Sequence, residues 1–216
     1  MIFDLDGTLV DTVATRIDGW LRALAEFGLP TTAVRLAPLI GIDGRVLARE
    51  IAALAGRTLD EEQTEEIDRR SGEIYEGLNH APRPLPGVRR LVDTLVASDI
   101  RWSIATSSRK EQVATSVRAL GLATEPTIAD ASHVTRAKPA PDLLLVAAGQ
   151  LGVAAAHCWY VGDAAWDMAA AVSAGMIPIG VTAGSGVSAD ALAGSGAGAV
   201  VDSLDAIADA LDLRGP

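Results

Sequence analysis

The strongest constraint on the fold is a repeated alternation in the last two-thirds of the chain. Four short runs, IRWSIAT (100–106), HCWYVG (157–162), MIPIGV (176–181) and AGAVV (197–201), read as strands that are apolar on both faces. Between and around them lie Ala- and Leu-rich stretches with helical spacing, at 88–98, 109–120, 140–151, 165–174 and 203–212. A strand without a polar face has no side for water, so helices must cover both faces of the sheet. One helix between successive strands is the connection a parallel pair requires. The pattern predicts an α/β fold: a three-layer, Rossmann-like parallel sheet. Aromatic residues make up only 4% of the chain, so Ala, Val, Leu and Ile must do most of the packing.

Residues 13–80 break the alternation. TRIDGWLRALAEFGL, GRVLAREIAALAG and LDEEQTEEIDRRSGEIYEGL are amphipathic helical patterns with no convincing strand between them. HAPRPLPG (80–87), with three prolines and a glycine, reads as a linker leading back to the sheet. The expected organisation is one α/β core from residues 1–12 and 82–216, with an inserted all-helical cap over 13–81. The junctions near 12–15 and 80–87 are the expected hinges.

Composition narrows the function classes. The net charge of −10 argues against nucleic acid or an anionic membrane as a main partner, but leaves room for a small anion in a local basic pocket. One cysteine, Cys158, cannot form an internal disulfide, which fits a reducing cytoplasm, and its apolar flanks predict an inert core thiol. No apolar run reaches membrane-spanning length, and no secretory signal pattern is visible at the N-terminus. A monomer and a homodimer are both compatible with the sequence.

The chemistry is concentrated at strand ends. MIFDLDGTLVDT opens the chain with two carboxylates, Asp4 and Asp6, directly after two apolar residues. Either the first strand is short or the natural chain begins a few residues earlier. Residues i and i+2 of a strand share a face, and ligands of open α/β sheets sit beyond the strands' carboxyl ends. Two carboxylates so close repel unless a cation neutralises them or one holds a proton. Thr106 and Ser107 end a second strand just before a helix, where hydroxyls and free amides favour an anion. Lys138 sits in AKPAPD, stiffened by two prolines. Asp163 follows a third strand in VGDAAWDM, and Asp167 lies one helical turn on, across the same face. Trp166 between them reads as packing or as a pocket wall. Asp11 reads as a cap for the helix that follows. His80, His133 and His157 have no ligand-type spacing and receive no role.

Strand–DxDGT, strand–TS, KP and strand–GDxxxD, in that order, resemble the haloacid-dehalogenase-like hydrolase superfamily over essentially the whole chain. The helical insertion after the first motif is similar to the cap of its phosphoglycolate-phosphatase and β-phosphoglucomutase branch. The resemblance implies that Asp4 is a nucleophile forming an aspartyl-phosphate and Asp6 an acid and base. It implies that Thr106, Ser107 and Lys138 hold the phosphoryl group. It also implies that Asp4, the Asp6 carbonyl and Asp163 bind Mg²⁺, with Asp167 as a further ligand or an orienting group. Asp6 should be the less cation-stabilised of the pair, because it must carry a proton in the first step. The acid at position 6 points to phosphate rather than halide chemistry.

Mutases of the β-phosphoglucomutase type place a histidine where this chain has Arg16, and the phosphonatase branch uses a cap lysine that residues 13–80 lack. The expected function is therefore a Mg²⁺-dependent phosphatase acting on a small phosphorylated metabolite. A sugar phosphomutase, and more remotely a phosphoaspartate receiver module, are the alternatives. LIGIDGRVL (39–47) looks like the cap's substrate-specificity loop, which makes Arg45 and Arg16 candidates to face the leaving group.

Overall fold

The computed structural model describes residues 1–212. The chain begins with β1 (Ile2–Phe3), β2 (Val10–Asp11), α1 (Val13–Glu26), α2 (Ala33–Leu36), α3 (Gly44–Leu54), α4 (Glu61–Leu78) and β3 (Arg83–Pro84). It continues with α5 (Val88–Ala97), β4 (Ser103–Ala105), α6 (Lys110–Ala119), β5 (Thr127–Ala129), α7 (Asp142–Leu151) and β6 (Trp159–Gly162). The last elements are α8 (Ala165–Ser173), β7 (Ile177–Val181), α9 (Ala189–Gly194), β8 (Ala199–Val201) and α10 (Leu204–Asp212). Six strands form one sheet in the order β5-β4-β1-β6-β7-β8, and every neighbouring pair is parallel.

β1 has only two residues, yet it occupies the middle of the sheet. Ile2 lies opposite Ser103 and Tyr160, and Phe3 opposite Ile104 and Val161. Strand alternation sends the two side chains to opposite faces. Phe3 packs with Leu91 and Leu95 of α5 and with Leu204 and Ile207 of α10. Ile2 packs with Leu143, Leu144 and Ala147 of α7 and with Ala170 of α8. Both are fully buried, each contributing about 2 kcal/mol from apolar area removed from water. The helix–sheet–helix sandwich follows from that division.

β5 has no counterpart in the sequence pattern. It is a three-residue edge strand with Thr127 exposed, too short to show a period. The linker at 80–87 contains β3, which pairs antiparallel with β2, Val10 opposite Pro84 and Asp11 opposite Arg83. The two ends of the insertion therefore lie side by side. Asp11 does not cap α1. It is exposed in β2, and the residue at the helix N-cap is Thr12, which makes no side-chain cap bond. The Thr12 hydroxyl donates instead to Asp6 Oδ1 at 2.6 Å.

The insertion has its own apolar cluster, including Trp20, Leu24, Leu47, Ile51 and Ile67. Its longest helix, α4, starts with a reciprocal cap: Gln63 N–H donates to the Asp60 carboxylate at 2.8 Å, and Asp60 N–H to the Gln63 side chain at 3.1 Å. Polar contacts tie the insertion to the sheet's carboxyl ends. Trp166 Nε1 donates to the Pro38 carbonyl at 2.9 Å, and Arg109, just before α6, reaches Glu65 and Asp68 of α4 at 2.7 and 2.5 Å. Trp166 is thus a packing contact across the two parts. No helix among the described residues is long and apolar enough to cross a membrane.

Candidate active site

A cavity of about 660 Å³ lies between the sheet's carboxyl ends and the insertion, lined by Asp4, Asp6, Thr106, Ser107, Lys138, Asp163 and Asp167, and by Arg16 and Arg45. Every site residue expected from the sequence therefore reaches one space.

Asp4 continues the β1 ladder, its N–H donating to the Val161 carbonyl at 2.8 Å. The chain then turns at Gly7, whose φ of +85° few side chains adopt. A Cβ there would also lie 2.3 Å from Asp163 Oδ2, so the turn packs directly against that carboxylate. The Thr8 hydroxyl donates to Asp163 Oδ1 at 2.8 Å.

Lys138 is 1% exposed. Its ammonium contacts Asp4 Oδ1 and Asp167 Oδ1, both at 2.7 Å, and donates to the Tyr160 hydroxyl at 3.2 Å. Asp167 is fully engaged. Its Oδ1 takes the ammonium and the Tyr160 hydroxyl (3.0 Å), and its Oδ2 accepts from the N–H groups of Asp163 (3.2 Å) and Ala164 (3.0 Å). That second pair of bonds caps the start of α8. The i,i+4 spacing thus brings Asp163 and Asp167 together, with Asp167 turned onto backbone and lysine.

Asp4, Asp163 and Asp167 each offer an oxygen within 4.8 Å of the others. Burial pushes Asp4 up to about 7, with Asp167 adding to the rise and Lys138 opposing it. Burial and the same two neighbouring carboxylates drive Asp163 well above the usual range. Lys138 is held well above its own usual value: burial works against its charge, but Asp167 and Asp4 prevail. Burial is the first cause for both carboxylates, and the crowding of like charge adds to it. A single ammonium stands among three buried carboxylates, leaving an excess of two negative charges. A hard divalent cation with oxygen ligands matches that deficit in both charge and donor type. Ser107 adds a second sign of a ligand: its Oγ is buried and has no hydrogen-bond partner among the described residues.

Asp6 has a different environment. Its Oδ2 accepts from Arg16 Nη2 (2.8 Å) and the Ser108 hydroxyl (2.6 Å), and its Oδ1 from the Thr12 and Tyr75 hydroxyls (2.6 and 3.1 Å). Burial alone would raise its pKa, but the Arg16 guanidinium and the hydroxyls of Ser108 and Thr12 hold it below the ordinary value. The sequence suggested that Asp6 would be the less cation-stabilised carboxylate. Each carboxylate in fact has a buried cation of its own, Lys138 on Asp4 and Arg16, delivered by α1, on Asp6. Arg16 also donates to Gln112 at 2.9 Å and lies 3.6 Å over the Tyr75 ring. Arg45 lines the cavity but is paired with Asp43, through Nε at 3.0 Å and Nη2 at 2.7 Å.

Several participants escaped sequence reading. Ser108 lies beside the predicted pair Thr106–Ser107, and its N–H donates to the Thr106 hydroxyl at 3.1 Å. Tyr75, Tyr160 and Arg109 carry no local signal, since their partners lie on elements distant in sequence. His133 is bound to Asp130 in a short turn, and Cys158 is buried with its thiol pushed up by burial.

Comparison with known proteins agrees with this geometry. The chain matches the family described as haloacid dehalogenase-like hydrolase over residues 1–181. It is 32% identical to a phosphoglycolate phosphatase of Rhodospirillum rubrum over 227 aligned positions, covering 100% of this chain and 92% of the relative. It is 30% identical to the β-phosphoglucomutase of Bacillus subtilis over 190 positions, covering 85% of this chain and 83% of the relative. The crystal structure of a hydrolase from Pseudomonas syringae superposes with a TM-score of 0.92 at 32% identity, covering 100% of this chain and 98% of that one.

Proposed function

The chain belongs to the haloacid dehalogenase-like hydrolase family and is a hydrolase acting on phosphate esters, and from that premise we propose a Mg²⁺-dependent phosphatase of small phosphorylated metabolites. The observation that carries the reading is the charge deficit around Asp4: three buried carboxylates, one ammonium, and an unpartnered Ser107 hydroxyl facing the same cavity. Asp4, Asp163 and the Asp6 backbone carbonyl would hold Mg²⁺. Asp167 is read as the group that orients Lys138 and caps α8, because both its oxygens are already engaged. When bound, the cation offsets the repulsion between the phosphate and the carboxylates and keeps Asp4 ionised.

The remaining chemistry belongs to the protein. Asp4 attacks phosphorus and forms an aspartyl-phosphate as the ester oxygen leaves. Asp6, across the Gly7 turn, gives that oxygen a proton and later takes one from the water that hydrolyses the intermediate. Thr106, Ser107 and Lys138 donate to the phosphoryl oxygens, where negative charge gathers. Residues 1–12 and 82–216 form the catalytic core and 13–81 the cap, opening and closing about the β2–β3 ribbon. The enzyme works in the cytoplasm.

A sugar phosphomutase is the second reading, favoured by the similarity to the Bacillus subtilis β-phosphoglucomutase. Arg16 counts against it: a guanidinium paired with Asp6 cannot take a proton from a sugar hydroxyl at neutral pH. Turnover of p-nitrophenyl phosphate with Mg²⁺ and with EDTA is the test. The phosphatase reading requires activity that EDTA removes and that Asp4→Asn abolishes. Activity surviving either treatment, or conversion of a sugar 1-phosphate to the 6-phosphate without phosphate release, would overturn it.

A further inference from the structure

We infer that the leaving group this cavity takes is a neutral, polyhydroxylated one, a sugar or polyol, and not one carrying a second anionic group. The inference rests on the phosphatase reading above and concerns the end of the cavity remote from Asp4. That end is walled by the insertion and by the start of α6. A substrate with a second carboxylate or phosphate needs an uncommitted cation there, because an unpaired charge is costly to desolvate. The arginines that line the cavity are already paired. Arg16 is bound to Asp6 at 2.8 Å, Arg45 to Asp43 at 2.7 Å, and Arg109 to Glu65 and Asp68 at 2.7 and 2.5 Å. Lys110, the other cation lining that side of the cavity, is exposed, so water screens its charge and an anion gains little from it.

The pairs are built in rather than casual. The Asp43 carboxylate also accepts from Arg45 N–H at 2.9 Å and so caps α3. The Asp68 carboxylate lies against Gly44, where a Cβ would meet its Oδ1 at 1.8 Å. Arg109 and Arg45 are therefore held by acids that local structure fixes in place. Asp43, Glu65 and Asp68 there face Arg45, Arg109 and the solvated Lys110, so the acids match the cations in number.

The wall is consequently a mosaic of donors and acceptors with no net positive charge. Hydroxyl groups both donate and accept, and they suit such a surface. An ammonium group gains nothing there, since Arg45, Arg109 and Lys110 already balance the three acids in charge. Trp20, which shares the cavity, offers an apolar edge for the C–H face of a sugar ring, while Ser71 and Gln112 add neutral polar groups.

The test uses the purified full chain with Mg²⁺ and five probes: p-nitrophenyl phosphate, glucose 6-phosphate, glycerol phosphate, 2-phosphoglycolate and phosphoethanolamine. The expected result is a kcat/KM for glucose 6-phosphate or glycerol phosphate at least about tenfold above those for 2-phosphoglycolate and phosphoethanolamine. Equal or better turnover of 2-phosphoglycolate or phosphoethanolamine overturns the inference while leaving the phosphatase reading standing. No turnover of any probe, p-nitrophenyl phosphate included, overturns both. In the double variant Glu65→Gln/Asp68→Asn, Arg109 loses its acids and becomes available to an anion. The preference for glucose 6-phosphate over 2-phosphoglycolate should then shrink by about tenfold. An unchanged ratio in a folded variant also overturns the inference.

Discussion

Replacing Lys138 by methionine tests the centre of the site most directly. The side chain is 1% exposed, and methionine matches its length without its charge. Two carboxylate oxygens lie 2.7 Å from its nitrogen. At an effective dielectric constant of about 20, each contact is worth roughly 6 kcal/mol of gross attraction. Desolvation of the three groups cancels most of this, yet removing one partner leaves Asp4 and Asp167 buried together without their shared cation. Losses of that kind run to about 3–5 kcal/mol. This is a large part of the roughly 5–15 kcal/mol that holds a domain folded. Urea unfolding of the metal-free Lys138→Met variant should therefore show a midpoint well below the wild-type one.

The catalytic loss should be separate and specific. Lys138 touches Asp4, the proposed nucleophile, and not the arginine-lined end of the cavity, so kcat should fall by about 10²–10³ for every substrate alike. Steady-state kinetics at a temperature where circular dichroism shows the variant folded would measure it. Wild-type stability would refute the buried-pair argument. A destabilised variant with unchanged kcat would refute the catalytic one and reduce Lys138 to a structural ion.

Metal removal should make stability pH-dependent in a defined direction. Burial raises Asp4 from 3.8 to about 7, so between those values the folded chain binds more protons than the unfolded one. Asp4's contribution to the stability of the EDTA-treated protein is then lost, by up to about 4 kcal/mol, as pH rises from about 4 to about 7, and Mg²⁺ should restore it at pH 7.5. A flat profile in EDTA, measured by urea midpoints at pH 4.5, 6 and 7.5, would contradict the charge-deficit argument. Arg16→Ala should cost about 3 kcal/mol at pH 7, where Asp6 is ionised. Asp6 has a depressed pKa in the fold, so this cost should shrink as pH falls through the carboxylate range. The same loss at pH 7 and pH 3.5 would show that Arg16 acts by packing on Tyr75 and not by pairing with Asp6.

The parts of this site that could be read from the sequence are those set by one strand end and the turn after it. Asp4, Asp6, Asp163 and Thr106 each follow an apolar run, and a parallel sheet brings all such ends to one edge. The fold was legible for the same reason, through strands that are apolar on both faces. β5 was not, because three edge residues carry no period.

What stayed hidden depends on how the insertion sits. Arg109 finds its acids 41 and 44 residues away, and Tyr75 meets Asp6 across 69. No spacing rule spans such gaps, since they are fixed only once α1 and α4 pack over the sheet. That dependence explains why the pKa of Asp6 is held below its ordinary value. The core gives it a neighbouring carboxylate and, against burial, the hydroxyls of Thr12 and Ser108. The insertion adds Arg16 and Tyr75, and the carboxylate becomes the stabilised form. The charge state of the acid is therefore coupled to the position of the insertion. With α1 displaced, Asp6 would lose Arg16 and keep the hydroxyls of Thr12 and Ser108. The proton transfers proposed for Asp6 would thus be tied to the placement of α1.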